Sequence, residues 1–305
     1  MLLFKPRKKS SELLTLEYLN TRMSLSPKDK HYYISLKKGY EGEKKFDLWT
    51  ENLQCECIIL NDLLLKVNNT TFQIDALIIT ADKTYLYEVK NFEGDYIFDP
   101  RTNKFFFIKS KQEIINPLHQ LERCESLLNQ LLPKHGFNTP TKGAVVFIND
   151  EFTLYQAPPD EPIIFLSQLK KHFKNLNAIS APLSRHHFLL AEKLQSLHIT
   201  EPPYKQIPAY NYEQLQKGIT CRKCHSFSIH IKRLKAACEE CGHEELIAEA
   251  VIRSVREFQL LFPEENITSN IIHDWCREIK LKKTISNILS QHFTARGNNR
   301  WIYYE

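Results

Sequence analysis

The sequence predicts an α/β protein followed by a smaller cysteine-containing and helical part. Strand-like and helical patterns both occur over the first two-thirds of the chain. Two Cys-x-x-Cys pairs follow, and helical stretches occupy most of the remaining sequence. Of the 305 residues, 42% are hydrophobic and 25% are charged, which is typical of a folded globular protein. The length suggests about two domains.

The elements of the first part can be predicted in order. Helices are expected at 11–23, 41–53, 116–132, 166–175 and 183–197, and strands at 55–60, 63–67, 71–79, 84–89, 96–98, 104–108 and 142–148. Asn116 and Pro117 predict a helix start, because Asn is a good N-cap and Pro suits the first helical position. The sequence Asp-Pro-Arg-Thr-Asn at 99–103 indicates the turn of a hairpin.

Composition and short motifs exclude several classes of protein. The longest uninterrupted apolar run, 144–148, is far shorter than the roughly 20 residues that cross a bilayer. The first residues turn basic after position 4, without the apolar stretch of a secretory signal. We therefore expect a cytoplasmic protein that does not enter membranes. The eight glycines form neither GxGxxG nor GxxxxGK[ST], which argues against the common nucleotide-binding loops.

Charge and proline content divide the chain further. Between residues 1 and 38 nine residues are basic and three are acidic, whereas the whole chain carries only +5. This cluster either contacts phosphates of nucleic acid or acidic lipid, or forms a solubilising, partly mobile tail. Three prolines at 200–208 indicate a linker. The predicted division is a basic N-terminal extension at 1–38, an α/β domain at 39–199, a linker at 200–220, a cysteine-rich ribbon at 221–243 and a helical module at 244–305.

The two Cys-x-x-Cys pairs predict a structural zinc site. Thirteen residues separate the pairs, and an alternating stretch between them suits a short β-arm. Two such knuckles together give a tetrahedral site of four thiolates. In a reducing compartment zinc is favoured over disulfides. The predicted ligands are Cys221, Cys224, Cys238 and Cys241. His225 and His243 flank the knuckles, either as bystanders or in place of a cysteine.

A second group of residues suggests phosphodiester chemistry. Asp75 interrupts an apolar run, where an ionised carboxylate is costly unless it is paired or binds a metal. Glu88 and Lys90 lie two residues apart on the next predicted strand and so share a face. Two carboxylates can hold a divalent cation that activates water, and a lysine can stabilise the anionic transition state. The alternative is a solvated Glu-x-Lys surface pair and an aspartate that caps a turn.

Five short motifs carry a family resemblance. They are Gly39-Tyr-Glu-Gly-Glu43, Asn61-Asp62, Phe72-Gln-Ile-Asp75, Glu88-Val-Lys-Asn91 and Asn116-Pro-Leu-His-Gln120. In this order they resemble the nuclease-related domain (NERD), a branch of the PD-(D/E)xK nuclease superfamily, over roughly residues 35–150. The resemblance implies a helix, a mixed sheet flanked by helices, a second helix and a further strand.

The resemblance also implies the roles of the central residues. Asp75 and Glu88, helped by the Val89 carbonyl, would bind Mg²⁺ or Mn²⁺. Lys90 would be the catalytic lysine. Ile74 stands where the superfamily name has proline, a change that removes no metal ligand.

Two further residues have supporting roles by the same resemblance, and a third is suggested by its position on the strand. Glu43 would reach the metal directly or through water, and Gln120 would line the same cleft. Gln73 shares a strand face with Asp75 and would orient it. The alternatives are a first-turn carboxylate favoured by the helix dipole for Glu43, and a polar surface residue for Gln120.

The C-terminal segment suggests a winged helix-turn-helix. Helices are predicted at 246–262, from about 267 to 275 and after 283, followed by a turn at 297–299 and a strand at 300–304. Helix, turn, helix and β-wing is the winged-helix order. Candidate phosphate contacts are Lys282, Lys283, Asn287 and Arg296. The alternative is a helical cap that packs on the ribbon.

Together these patterns predict a metal-dependent nuclease that hydrolyses DNA through an Asp/Glu-x-Lys site. Its cofactors would be catalytic Mg²⁺ or Mn²⁺ and structural Zn²⁺, and its partner DNA. Proteins could bind through the ribbon or the C-terminal module. The alternatives are a non-catalytic nucleic-acid-binding protein and a scaffold of a DNA-processing complex. DNA versus RNA, strand preference and oligomeric state stay open.

Overall fold

In the computed structural model, which describes residues 1–298 and 301–305, helices and strands follow the predicted α/β pattern. The helices are α1 Ser11–Arg22, α2 Pro27–Thr50, α3 Pro117–Lys134, α4 Leu166–Asn177, α5 Arg185–Ser196, α6 Ile247–Leu261, α7 Ser269–Trp275 and α8 Lys282–His292. The strands are β1 Leu2–Lys5, β2 Ile58–Val67, β3 Thr70–Ile79, β4 Thr84–Lys90, β5 Gly94–Asp99, β6 Lys104–Phe107, β7 Gln112–Ile114, β8 Thr141–Phe147, β9 Phe152–Tyr155, β10 Ile163–Phe165, β11 Ile229–Lys232, β12 Lys235–Cys238, β13 Glu244–Leu246, β14 Ala295–Arg296 and β15 Tyr303–Tyr304.

The chain forms two compact units. The first unit comprises Met1–Lys9 and Ile34–Lys205, and the second comprises Ser10–Tyr33 and Gln206–Glu305. One boundary between them falls within α2, at residues 33 and 34.

The first unit is built on a mixed sheet with the strand order β1-β2-β3-β4-β8-β10. Strands β2, β3 and β4 are antiparallel, and β8 joins β4 in parallel. Leu77 and Ile79 pack in one hydrophobic cluster with α3 and α5, whereas Ala76 and Ile78 pack in another with α2 and α4. The sheet is therefore covered on both faces, which explains the nearly continuous apolar sequence of β3.

A smaller sheet has three strands between β4 and α3 in the chain, and its fourth strand, β9, follows β8. Its strand order is β7-β6-β5-β9, and the predicted hairpin is formed by β5 and β6. With α2, the three central strands, α3 and β8, the first unit has the order of elements that the family resemblance implies.

Several elements differ from the prediction. Helix α2 begins at Pro27 instead of 41, and it continues through Gly39, although glycine lowers helix propensity. The two strands predicted at 55–60 and 63–67 form the single strand β2, which contains Asp62 at a φ of 54°. Strands β1, β7, β9 and β10 have only three or four residues each and were not predicted, since such short segments give little periodic signal.

The second unit unites α1 with the C-terminal helices. Leu19 packs in one hydrophobic cluster with Phe258 and Trp275. Arg22 and Glu257 form an enclosed ion pair, with Nε 2.6 Å from Oε1. The predicted N-terminal extension is thus divided: its first nine residues belong to the first unit, and the apolar face of α1 is buried in the second. Residues 206–220 of the predicted linker also belong to the second unit.

The end of the chain has two helices followed by a hairpin. Thr268 caps α7, with its hydroxyl accepting the N–H of Ile271, and α8 follows after a short connection. Strands β14 and β15 pair antiparallel. The predicted terminal strand began at Arg300 and the predicted turn included Asn299; both residues lie outside the described part of the chain. Within that part, no helix combines the length and apolarity needed to span a membrane.

Candidate active site and metal centre

Asp75 and Glu88 lie opposite each other on β3 and β4. In this antiparallel ladder Ile79 pairs with Thr84 and Ala76 pairs with Tyr87, and the same register pairs Asp75 with Glu88. Opposed residues of an antiparallel pair project from the same face of the sheet. Both side chains line one cavity of about 460 Å³. The structure therefore brings these two carboxylates to a common cleft.

The Asp75 carboxylate is oriented by the backbone. Its Oδ2 accepts a hydrogen bond of 2.8 Å from the N–H of Val89. Desolvation in the cleft raises the pKa of Asp75 well above its usual value, and the neighbouring carboxylates of Glu88 and Glu43 add to the effect. Lys90 and the Val89 N–H oppose the shift. The cleft thus concentrates negative charge that a cation would relieve.

Lys90 and Glu88 form an ion pair that is largely buried. Its Nζ donates to Glu88 Oε1 at 2.7 Å. The two side chains are only 17% and 11% exposed. Their enclosure is evidence against the alternative of a solvated surface pair.

Glu43 approaches the same carboxylates from α2. Burial raises the pKa of Glu43; Arg7 opposes this shift, and the carboxylates of Asp62, Asp47 and Glu88 reinforce it. Glu43 forms an ion pair with Arg7 Nη1. Its side chain does not line the 460 Å³ cavity, so it lies beside that cavity instead of within it.

Helix α3 contributes polar side chains to the cavity. Gln120 lines it, as do His119 and Arg123, which the sequence analysis missed. Arg123 Nη2 donates a long hydrogen bond of 3.5 Å to the carbonyl of Thr71. His119 and Arg123 are four residues apart and therefore share one helix face. This spacing, next to Gln120, could have identified both as residues of the cleft.

Two acidic residues beside the site were assigned no role from the sequence. Asp62, which has a positive φ within β2, accepts a 2.8 Å hydrogen bond on Oδ1 from Gln73 Nε2. Gln73 thus binds Asp62, whereas the sequence analysis expected it to orient Asp75. Asp47 binds Arg7 with both carboxylate oxygens. The polar Asn61-Asp62 pair inside an apolar strand could have indicated a role for Asp62. No sequence signal indicated a role for Asp47.

The four cysteines of the two knuckles converge. Cys221, Cys224, Cys238 and Cys241 have ligand atoms that all lie within 4.8 Å of one another. The Sγ atoms of Cys221 and Cys241 are 3.6 Å apart, and those of Cys224 and Cys238 are 3.5 Å apart. Tetrahedral bonds of about 2.3 Å to zinc put sulfur atoms about 3.8 Å apart. The cluster could therefore hold a metal such as zinc. It contains neither His225 nor His243.

The local backbone favours thiolate formation at Cys221. Burial opposes its ionisation, but hydrogen bonds from the backbone N–H groups of Cys224 and Lys223 help to lower its pKa to about 7. The Lys223 N–H lies 3.3 Å from Cys221 Sγ. Metal ions bind cysteine as the thiolate, so the lowered pKa of Cys221 favours metal binding at this knuckle.

The carboxylate cleft has a different donor set. Among the described residues, the cysteine cluster is the only group of three or more His, Cys, Asp or Glu side chains whose ligand atoms all lie within 4.8 Å of one another. Glu43, Asp75 and Glu88 therefore do not form a closed three-carboxylate site. The two carboxylates of the cleft, from Asp75 and Glu88, are hard oxygen donors, which suit Mg²⁺ or Mn²⁺.

Comparison with known proteins identifies one domain. Residues 38–148 match the family model of the nuclease-related domain. No curated protein and no solved structure gives a significant match. The matched range contains α3, the three central strands and all the carboxylates described above. Residues 38–148 are therefore similar to the nuclease-related domain.

Proposed function

We propose that the protein is a Mg²⁺- or Mn²⁺-dependent nuclease that hydrolyses phosphodiester bonds of DNA. The observation that carries this proposal is the meeting of Asp75 and Glu88 at one cavity, with Lys90 bound to Glu88. The nuclease-related domain supports a nuclease-related activity and contact with nucleic acid.

Asp75, Glu88 and the carbonyl of Val89 would hold the cation. When bound, such a cation lowers the pKa of water and neutralises charge that develops on the phosphate. The N–H of Val89 keeps Asp75 in place for this role, since it fixes one carboxylate oxygen.

Other side chains would act on water and substrate. The Lys90 ammonium would orient the attacking water and stabilise the anionic transition state. Glu43 would accept a hydrogen bond from water at the edge of the site, and the amide of Gln120 would orient the substrate from α3. His119 and Arg123 line the same cavity and would bind phosphate oxygens.

The second unit would bring DNA to the enzyme. A four-thiolate zinc site is normally closed and structural, so we assign this role to the cysteine cluster. Helix α8 contains no acidic residue, and its exposed side chains include Lys282, Lys283 and Asn287. We assign α7, α8 and the β14–β15 hairpin to a winged helix that contacts the DNA backbone. Arg296 contributes less, because it pairs with Glu305 at 3.1 Å.

A cleavage assay tests the proposal. The purified protein is incubated with Mn²⁺ and single-stranded, double-stranded and branched DNA, with RNA in parallel. We expect DNA cleavage that chelation stops. We expect Asp75→Asn and Lys90→Ala to lose at least about 100-fold in rate while DNA binding persists. The matched control Asp160→Asn changes an exposed carboxylate outside the cleft and should cleave normally.

The outcome of this assay separates the alternatives. Intact DNA in every condition, with binding preserved, would replace the enzyme with a non-catalytic nucleic-acid-binding protein. Cleavage of RNA but not of DNA would retain the enzyme and change its substrate. Absence of both binding and cleavage would favour a protein scaffold.

A further inference from the structure

The first nine residues reach the candidate active site, although they lie outside the range that matches the nuclease-related domain. Strand β1 pairs in parallel with β2, with Leu2 opposite Ile58 and Leu3 opposite Ile59. Lys5 Nζ then donates to the carbonyls of Asn61 at 2.8 Å and Asp62 at 2.6 Å. We call residues 2–9 the N-terminal arm. Its backbone pairing and Lys5 fix it along the edge of the sheet.

Arg7 extends from the arm into a ring of acceptors. Its Nη1 pairs with Glu43 Oε2. Its Nε and Nη2 bind the two oxygens of Asp47 at 2.9 and 3.0 Å. Nη2 also donates to the backbone carbonyl of Asp75 at 2.7 Å. The Arg7 side chain is only 3% exposed, so these contacts are shielded from solvent.

Two neighbouring carboxylates on α2 need a positively charged partner, which Arg7 provides. Glu43 and Asp47 are four residues apart on the helix, where like charges repel each other. The guanidinium fork satisfies both carboxylates at once and binds Asp47 in bidentate fashion, which a lysine ammonium cannot reproduce. Because the same group also binds the Asp75 carbonyl, it ties the helix that carries Glu43 to the strand that carries Asp75.

We infer that Arg7 is a positioning residue of the active site. It holds the Glu43 carboxylate beside the cavity in which Asp75 and Glu88 would bind the cation, so that residues outside the nuclease-related domain complete the site. This inference rests on the proposed metal-dependent nuclease. Arg7 acts through Glu43 and does not itself touch the substrate.

The test compares Arg7→Lys with wild type by titration calorimetry of Mn²⁺ and by single-turnover cleavage of DNA. Loss of a residue that orients a metal-site carboxylate typically costs about 10- to 100-fold in metal affinity or activity, and we expect a loss of this size in both readouts. The matched control is Arg101→Lys, the same exchange at a guanidinium that is 90% exposed; it should stay within about twofold.

A double-mutant cycle separates positioning from general support of the fold. If Arg7 acts through Glu43, Arg7→Lys should add little to the loss already caused by Glu43→Gln. Independent losses that multiply would overturn the inference. Should Arg7→Lys fail to fold, as judged by circular dichroism, Asp47→Asn removes the bidentate anchor of Arg7 and leaves Glu43 intact. It should then show the weaker Mn²⁺ binding, and unchanged binding would overturn the inference.

Failure of the inference differs from failure of the proposed function. Wild-type protein that binds and uses Mn²⁺, with a folded Arg7→Lys variant that equals it, overturns the role of Arg7 and leaves the nuclease in place. Wild-type protein that neither binds Mn²⁺ at the carboxylates nor cleaves DNA overturns both.

Discussion

Gly42 of α2 lies directly against Asn91, the residue that follows Lys90. A Cβ atom at position 42 would clash with the Asn91 Cβ and would lie 3.0 Å from its Cγ. The Asn91 amide also donates a 2.8 Å hydrogen bond to the carbonyl of Lys38. Helix α2 and the end of β4 are therefore held in close contact, which brings Glu43 towards the carboxylates of the sheet.

This contact predicts opposite effects for two glycines of the same helix. Gly42→Ala should lower the free energy of unfolding by about 1–3 kcal/mol, because an added methyl overpacks the junction. Gly39→Ala has no atom within 4 Å of the new Cβ and should stabilise the protein by about 0.5–1 kcal/mol, since alanine is the better helix former. Urea denaturation measures both. Equal stabilisation by both substitutions would contradict the close packing.

The cysteine cluster predicts tightly bound zinc. Purified protein should contain about one zinc per chain, and Cys238→Ala should lose it together with the fold of the β11–β13 sheet. The control Cys55→Ala alters a buried cysteine outside the cluster and should keep the metal. Elemental analysis and near-ultraviolet circular dichroism report the two effects. Equal zinc content in the two variants would refute the assignment.

The raised pKa of Asp75 predicts a dependence of stability on pH. A carboxyl whose pKa is higher in the folded than in the unfolded chain binds a proton more strongly when folded. Its stabilising contribution is present below the unfolded value of about 3.9 and is lost as the pH rises through the folded value. Without added Mg²⁺ or Mn²⁺, Asp75→Asn should therefore gain stability relative to wild type as the pH increases. Thermal melts at several pH values measure the difference, and parallel curves would contradict it.

Arg123 should contribute to substrate binding more than to chemistry. Arg123→Ala should raise KM for DNA while kcat changes little, because a phosphate contact acts on the bound substrate throughout the reaction. The slope of log affinity against log salt should fall by about 1. The exposed Arg101, changed to Ala, is the control. An unchanged salt slope in Arg123→Ala would exclude the phosphate contact.

The sequence allowed the centre of the first unit to be predicted because its signals are local. An apolar run on both strand faces identified β3, and Asp75 stood out since a carboxylate in such a run needs a partner. Asn116 and Pro117 marked the start of α3, with the Asn116 side chain accepting the N–H of Leu118 as an N-cap should. These features depend on neighbours in sequence, which one chain displays directly.

Other features depend on distant residues and could not be predicted. Arg7 contacts residues 36 to 68 positions away, and Arg22 pairs with Glu257 across 235 positions. The N-terminal basic cluster gave no indication that Arg7 would be enclosed by carboxylates or that α1 would join the C-terminal helices. Pairs of this kind form through tertiary packing. The hydrophobic periodicity and the composition of the sequence do not indicate which distant residues will meet.

Crystals soaked in MnCl₂ and measured at the manganese absorption edge would test the central claim most directly. The account predicts an anomalous peak within bonding distance of carboxylate oxygens from both Asp75 and Glu88, and loss of the peak in Asp75→Asn. Manganese bound elsewhere, with the Asp75–Glu88 cleft free of any peak, would contradict a shared cation at this site.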